Sequence, residues 1–418
     1  MNKIIFVFFI SIFFKMNGQS NQIDRIQWKG IKKMDVPFMT DFILTKVATK
    51  VDSLKLNKDI AALTRLNGIS KVSFEIISNE IQNQEVIFTI VEDFSIIPNT
   101  SIWSTEETTA YRVGIYDVNF LGKNNTIGCF YQYNGLPSFG LSYASPFLFN
   151  SKLGLETSFQ KLATLEPIFF ENTYARYQYI NTSGDLSASY RIDYRNSCKL
   201  GFSYFNEAYQ YQNGATSSNV PKSVSVDKYL IKLNYLFDNL QYDYYLVNGF
   251  RSASSFQYVR ATEGSKPSFI IGWNDFSYFK RFGRNGNWAN RLRLGLSSND
   301  KTPFAPFSVD NNLNIRGVGN IIDRGTGTIV INSEFRKTLY EKNWFVLQGN
   351  AFIDAGTWRQ PGEQFDNFFD KRNMRAYPGV GLRFMHKTIF NAIFRLDYGF
   401  GITKNASNGI VFGIGQYF

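Results

Sequence analysis

Histidine and cysteine are nearly missing: the 418 residues include one His and two Cys. His386 stands alone at a predicted strand end, so a Ser-His-Asp or Cys-His centre would have to be built on that single imidazole. No G-x-S-x-G elbow and no C-x-x-C pair occurs, which argues against a hydrolase. Cys129 and Cys198 lie in separate strand-like segments without metal-ligand spacing. They read as free structural cysteines, with pairing in an oxidising compartment left open. Long apolar runs are lacking too. After the first twenty positions no stretch reaches the roughly 18 residues that a membrane-crossing helix needs.

Aromatic side chains, by contrast, are abundant: 41 Phe and 24 Tyr bring the aromatic fraction to 17%. Yet the mean hydropathy is negative, at -0.22. Strands that are apolar on one face only reconcile the two, and they are the signature of a transmembrane β-barrel. The net charge is +11. A nucleic-acid partner would call for a clustered basic patch interleaved with base-stacking aromatics, which is absent, so no nucleic acid is expected. Lipopolysaccharide or anionic lipid suits the same charge.

Residues 1–20 read as a secretory signal, with Lys3, an apolar core from Ile4 to Phe14 and a small-residue cleavage region at Gly18-Gln19-Ser20. Residues 21–94 carry the periodicity of an α+β unit in the order strand, helix, helix, strand, strand. Ile23, Ile26 and Trp28 mark the first strand, and Pro37 opens a helix with Phe38, Phe42 and Ile43. Asn57 is the expected cap of the second helix, which carries Ile60, Leu63 and Leu66 and stops at Gly68. Val72, Phe74 and Ile76 alternate along one strand, and Val86, Phe88 and Ile90 along its hairpin partner.

Residues 95–109 read as a polar connector containing Pro98, and residues 110–418 as an all-β transmembrane barrel of about 16 antiparallel strands, an even number as closure requires. The expected strands begin near Tyr111, Thr126, Ser138, Ser151, Thr173, Gly184, Ser197, Asp227, Phe250, Ser268, Trp288, Thr326, Trp344, Tyr377, Ile389 and Gly409. Alternation is cleanest at the end. Ile410, Phe412, Ile414 and Phe418 share one parity and form the expected closing strand. It should seal against the first strand, because an unpaired edge in hydrocarbon leaves backbone groups unsatisfied.

One polar stretch stands out, Asn314-Ile315-Arg316-Gly317-Val318-Gly319-Asn320. Two carboxylates follow it in segments otherwise free of charge: Glu334 within Thr328 to Phe335, and Asp354 within Asn350 to Gly356. Alternation puts Asn332 with Glu334, and Asn350 with Asp354, on one interior. Ile329, Ile331, Phe335, Ala351 and Ile353 point the other way. Phe352 is the exception, joining the Asp354 face. An arginine on a glycine-bearing loop can fork onto such acids; the plainer alternative is that Arg316 neutralises a polar lumen.

Several of these segments together resemble the BamA/TamA outer-membrane assembly-factor superfamily, which includes the two-partner secretion transporters. Asp117 to Asn124 looks like the start of that family's first hairpin, and Ile315-Arg316-Gly317-Val318 is similar to its V-R-G-F/Y loop motif, with Val318 in place of the aromatic. Ser333-Glu334-Phe335-Arg336, Phe352 to Gly356 and Pro378 to Phe384 resemble its signature strands, and Asp238 to Gly249 its turn before the ninth strand. The resemblance implies that residues 21–94 are a single POTRA domain in the periplasm. It also implies that Ile315, Arg316, Gly317 and Val318 form a loop latch folded into the lumen, with Glu334 and Asp354 as the acids it binds. The implied function is assembly: inserting or exporting client polypeptides through a lateral seam and lumen, with no enzymatic activity and no cofactor. A two-partner-type secretion pore and a passive porin or scaffold are the alternatives. The implied partners are unfolded outer-membrane or secreted polypeptides, outer-membrane lipid or lipopolysaccharide, and periplasmic chaperones or accessory lipoproteins.

Overall fold

The computed structural model describes residues 22–78, 84–104, 109–148, 152–170, 173–216, 220–243, 245–263, 268–301, 305–309, 314–318, 323–387, 393–404, 406–416 and 418. The expected signal segment, 1–20, lies outside them. The N-terminal unit comprises β1 (Ile23–Lys29), α1 (Val36–Phe42), α2 (Ser53–Leu63), β2 (Ile69–Ser78) and β3 (Gln84–Glu92). Its sheet runs β1-β3-β2, with β1 parallel and β2 antiparallel to the central strand. Asp35 caps α1 by accepting from Phe38 N at 2.7 Å, and Pro37 sits in the first turn, where no amide bond is lost. The cap of α2 is Asp52, which accepts from Leu54 N and Lys55 N. The expected cap, Asn57, therefore lies inside the helix. Starting a turn earlier brings Leu56 into the core with Leu63, Phe38, Met39, Val86, Phe88 and Ile90.

Beyond this unit the strands are β4 (Ile96–Ser104), β5 (Thr109–Phe120), β6 (Asn125–Tyr133), β7 (Pro137–Ser145), β8 (Leu153–Phe170), β9 (Thr173–Arg191), β10 (Asn196–Gly214) and β11 (Ser223–Asp238). They continue with β12 (Gln241–Asp243), β13 (Leu246–Ala261), β14 (Phe269–Phe282), β15 (Gly286–Ser297), β16 (Phe307–Val309), β17 (Asp323–Gly325), β18 (Gly327–Glu341), β19 (Phe345–Arg359), β20 (Met374–His386), β21 (Ile393–Phe400) and β22 (Asn408–Ile414). Apart from the short β16–β17 hairpin, they close into one barrel of sixteen antiparallel strands plus the three-residue β12, with β22 meeting β4.

The number of strands matches expectation, but two of its parts do not. The supposed connector, 95–109, contains β4, the first barrel strand. Pro98 made it look irregular, yet Pro98 pairs with Ile115 on an edge that meets only the seam, where a missing amide donor is tolerated. Conversely, the strands expected at Thr173 and Gly184 are one continuous β9 of 19 residues. Of its polar run Asn181 to Asp185, which reads as a turn, Asn181, Ser183 and Asp185 face the lumen, where Asp185 pairs with Lys232 at 2.7 Å. The expected strand start at Ile389 lies outside the described residues.

Outward positions form an apolar belt. Leu141, Leu186, Leu200, Phe256, Ile270, Ile331 and Val380 are each at least half exposed, as lipid contact demands. Strand length is uneven around the wall. β8 to β11 and β13 run 16 to 19 residues, whereas β4, β6, β7, β21 and β22 have only 7 to 9. A tilted strand needs about 9 to 11 residues to cross a bilayer, so the long strands project beyond it and those flanking the seam barely span it.

The N-terminal unit docks on one rim, called proximal here. Arg65 at the end of α2 donates to the carbonyls of Tyr194 (2.5 Å), Asp238 (3.4 Å) and Leu240 (3.0 Å), in the turns after β9 and β11. Lys33 pairs with Asp117 at 2.9 Å, and Phe147 packs on Phe38 and Phe42 under the Arg191 guanidinium. Replacing Arg65 by Ala removes the three guanidinium bonds. Hydrogen–deuterium exchange over residues 53–66 should then rise by roughly tenfold, with no change in the barrel strands.

Candidate functional site

β18 and β19 pair so that Asn332 opposes Asp354 and Glu334 opposes Phe352. All four are buried on the lumen side, while Ile331, Phe335 and Ile353 are 52%, 43% and 47% exposed on the other face. β18 runs on to Glu341, so it also carries Arg336, two residues after Glu334 on the same face and 1% exposed. β20 and β21 add Arg383 and Asp397, both fully buried.

The segment 314–318, between the eleventh and twelfth barrel strands, folds inward onto this wall. Arg316 is fully buried. Its Nε and Nη2 donate to Asp354 Oδ2 and Oδ1 at 2.8 and 3.0 Å, its backbone amide donates to the same carboxylate at 3.0 Å, and Nη1 donates to Glu334. Asp397 lies 3.5 Å from Nη1. The guanidinium stacks 3.6 Å above the Phe352 ring, which accounts for the one aromatic on the acid face. Glu334 also accepts from Arg336 and, at 2.9 Å, from Arg383. Three guanidiniums thus meet three carboxylates, with Asn350 donating to Asp397 at 3.1 Å and Asn332 donating to the Asn314 carbonyl at 2.8 Å. Balance is what makes such burial tolerable, since one stranded charge in this setting costs several kcal/mol.

The rest of the tip packs through two apolar side chains and the backbone of one glycine. Ile315 and Val318 are fully buried with Val309, Val330, Trp358 and Tyr377, so the wall supplies the aromatic bulk that Val318 lacks. Gly317, at φ +94°, rests on β21 and β22. A Cβ there would stand 2.7 Å from Gly399 Cα, one on Gly399 would stand 2.4 Å from the Arg316 carbonyl, and one on Gly409 would stand 3.0 Å from the Gly317 carbonyl. Ser407 Oγ donates to the Val318 carbonyl at 2.9 Å. Nearer the distal mouth the same loop forms the β16–β17 hairpin, where Asp323 pairs with Arg375 of β20 at 3.0 Å and Arg324 pairs with Glu166 of β8.

Of the expected closing-strand residues, Ile410 (67% exposed) and Phe412 (39%) face outward, and Ile414 is the last paired position, opposite Phe394. Phe418 does not belong with them. Gly415 takes φ +93° and turns the chain into the lumen, where Gln416 Oε1 accepts from Arg383 Nε at 3.1 Å. Phe418 then packs against Leu240, Phe279, Ala289 and Val247, with the guanidinium carbons of Arg291 and Arg336 5.7 and 5.8 Å from its ring centre. Cys129 and Cys198 are both free. Sequence reasoning missed Arg336, Arg383 and Asp397 as partners, although strand parity signals each of them.

A closed barrel with a lipid-facing belt and an inward-folded, charge-bound loop defines a transmembrane β-barrel with a loop held in its lumen. The chain belongs to the Omp85 superfamily, whose domain matches residues 119–418. No curated protein matches the sequence. Among solved structures it is similar to BamA from Haemophilus ducreyi lacking POTRA domains 1-3, at 14% identity and TM-score 0.57, covering 94% of this chain and 84% of that one. CdiB from Escherichia coli (11%, TM-score 0.62, 95% and 76% covered) and CdiB from Acinetobacter baumannii (13%, 0.60, 95% and 74%) are similar as well. At these identities the likeness is one of fold. Superfamily membership gives the protein an outer-membrane location and a role in polypeptide insertion or translocation.

Truncation separates the roles of the acids. Glu334→Ala takes a carboxylate from three guanidiniums and leaves Arg336 with none among the described residues, and should lower stability by about 3 to 5 kcal/mol, whereas Asp354→Ala, which leaves Arg316 with Glu334 and Asp397, should cost less. Urea unfolding of the micelle-embedded barrel, followed by tryptophan fluorescence, measures both.

Proposed function

We propose that the protein inserts client polypeptides into the outer membrane, or exports them, through the seam between β4 and β22. In this reading residues 21–94 are a POTRA domain on the periplasmic side, and Ile315 to Val318 are the latch. The observation that carries the reading is the fully buried Arg316, held by Asp354 and Glu334 while the loop tip rests on the two last strands. β22 and β4 have 7 and 9 residues, so their shared ladder is short and its opening breaks few bonds. The freed edges expose backbone donors and acceptors that hydrocarbon cannot satisfy, and an incoming strand satisfies them by β-augmentation. Unfolded outer-membrane or secreted polypeptides are the clients this chemistry selects, because recognition runs through the main chain. Lipopolysaccharide, chaperones and accessory lipoproteins remain partners by resemblance alone.

One observation favours a secretion pore as the second reading. On the β8–β14 side the lumen holds a cavity of about 790 Å³ lined by Lys199, Lys232, Arg251, Trp273 and Asp275, with Phe42, Arg65 and Leu66 of the N-terminal unit at its proximal end, and none of the described loop residues lines it. A client crossing there would leave the seam shut.

Disulfides between cysteine pairs scanned along β4 and β22 distinguish the two. Tyr111, the expected start of the first strand, lies on β5, so the seam partner of β22 is β4. With the seam locked, assembly of a client barrel in liposomes should stop and resume on reduction. Unchanged assembly under the lock rejects the seam route, and unchanged export under it supports the pore.

A further inference from the structure

We propose that β22 is clamped at both ends from inside the barrel, and that Gly399, Gly409, Ser407 and Gln416 are positioning residues for the seam. This rests on the seam reading for its functional consequence only. At the distal end the clamp is the loop tip. Gly317 sits backbone to backbone on Gly399, at a separation that admits no side chain, and on Gly409, where a Cβ would be tight at 3.0 Å, and Ser407 donates to the Val318 carbonyl at 2.9 Å with the Gly317 carbonyl at 3.4 Å. At the proximal end the clamp is the turned-in tail, with Gln416 on Arg383 and Phe418 between Arg336, Arg291 and the apolar cluster of Leu240, Phe279 and Ala289.

The two ends converge on one group. Arg383 and Arg336, which hold the tail, both bind Glu334, and Glu334 binds Arg316, which holds the tip. Between the clamped ends β22 has seven residues to pair with. A strand that short is held less by its ladder than by what grips it from within. Movement of the loop and release of β22 are therefore thermodynamically linked. Withdrawing Arg316 leaves Glu334 to Arg336 and Arg383 and frees the distal end, and detaching the tail loosens the hold on Arg383 and so on the acid that Arg316 needs.

The test reads the seam directly, apart from client assembly. Spin labels are placed on Ile102→Cys of β4 and Ile410→Cys of β22, both outward and 52% and 67% exposed, in a Cys129→Ser, Cys198→Ser background of the full chain in nanodiscs. Ser407→Ala removes the hydroxyl from the distal end and Gln416→Ala the side-chain amide from the proximal end, and neither changes a charged side chain. Each should raise the long-distance population roughly tenfold, and the double variant should fall short of the product of the two, because the second release finds the strand already loosened. Phe418→Ala provides a second proximal variant and should act like Gln416→Ala.

Distance distributions that match the parent in Ser407→Ala, Gln416→Ala and Phe418→Ala overturn the clamp. So does strict multiplicativity in the double variant. A widened seam with unaltered client assembly leaves the clamp standing and defeats the seam reading of function.

Discussion

Everything in the lumen answers to one requirement, that a guanidinium with no exposed surface be matched by carboxylates held where they cannot retreat. Arg316 arrives on a loop, but its partners are rooted in the barrel wall, Glu334 on β18, Asp354 on β19 and Asp397 on β21, with Arg336 of β18 and Arg383 of β20 holding Glu334 in turn. A strand-borne acid is fixed by its ladder to within a register position, so the loop is fixed in turn. Phe352 floors the site and shields the pair from water, which strengthens both hydrogen bonds and charge attraction.

That rigidity sits beside the weakest part of the wall. In hydrocarbon a barrel has to close, and here it closes through strands of seven and nine residues while the opposite wall uses up to nineteen. The glycines reconcile the two demands. Gly317, Gly399 and Gly409 let the loop backbone touch β21 and β22 without an intervening side chain, so the rigid cluster lends its order to a seam that has little of its own.

Strand parity made most of this legible in the sequence. It set Glu334 and Asp354 on one interior and singled out Phe352 as the exception, it puts Asp397 on the water-facing side of β21, and the same rule carried along β18 and β20 sets Arg336 and Arg383 there. The element order of the N-terminal unit was readable because its apolar spacing changes from 2 to 3.6 residues and back. What parity could not reach was set by tertiary context. Pro98 reads as a break because a single sequence does not show that β4 has a seam on one side, and Asn181 to Asp185 reads as a turn because polar lumen-facing residues alternating with Thr182 and Gly184 leave no apolar face to mark a strand. Asp52 and Asn57 are equally good caps, and only the burial of Leu56 decides between them. Phe418 continues the parity of Ile414, so nothing but the left-handed Gly415 takes it off the strand.

The loop is held at two depths by unequal forces. Consecutive residues Asp323 and Arg324 pair with opposite walls, on β20 and β8, so the β16–β17 hairpin is strung across the distal mouth. Those side chains are 9 to 20% exposed and water can take over part of each lost contact, whereas every partner of Arg316 is fully buried. Since the cost of parting a pair rises with its isolation from water, the hairpin can leave the mouth while the tip stays seated. A chain crossing on the β8–β14 side displaces the hairpin at the distal mouth and the N-terminal unit at the proximal rim and can leave Arg316 seated, but one entering through the seam must unseat Arg316. The depth at which the loop yields thus separates a lumen route from a lateral one within the same barrel.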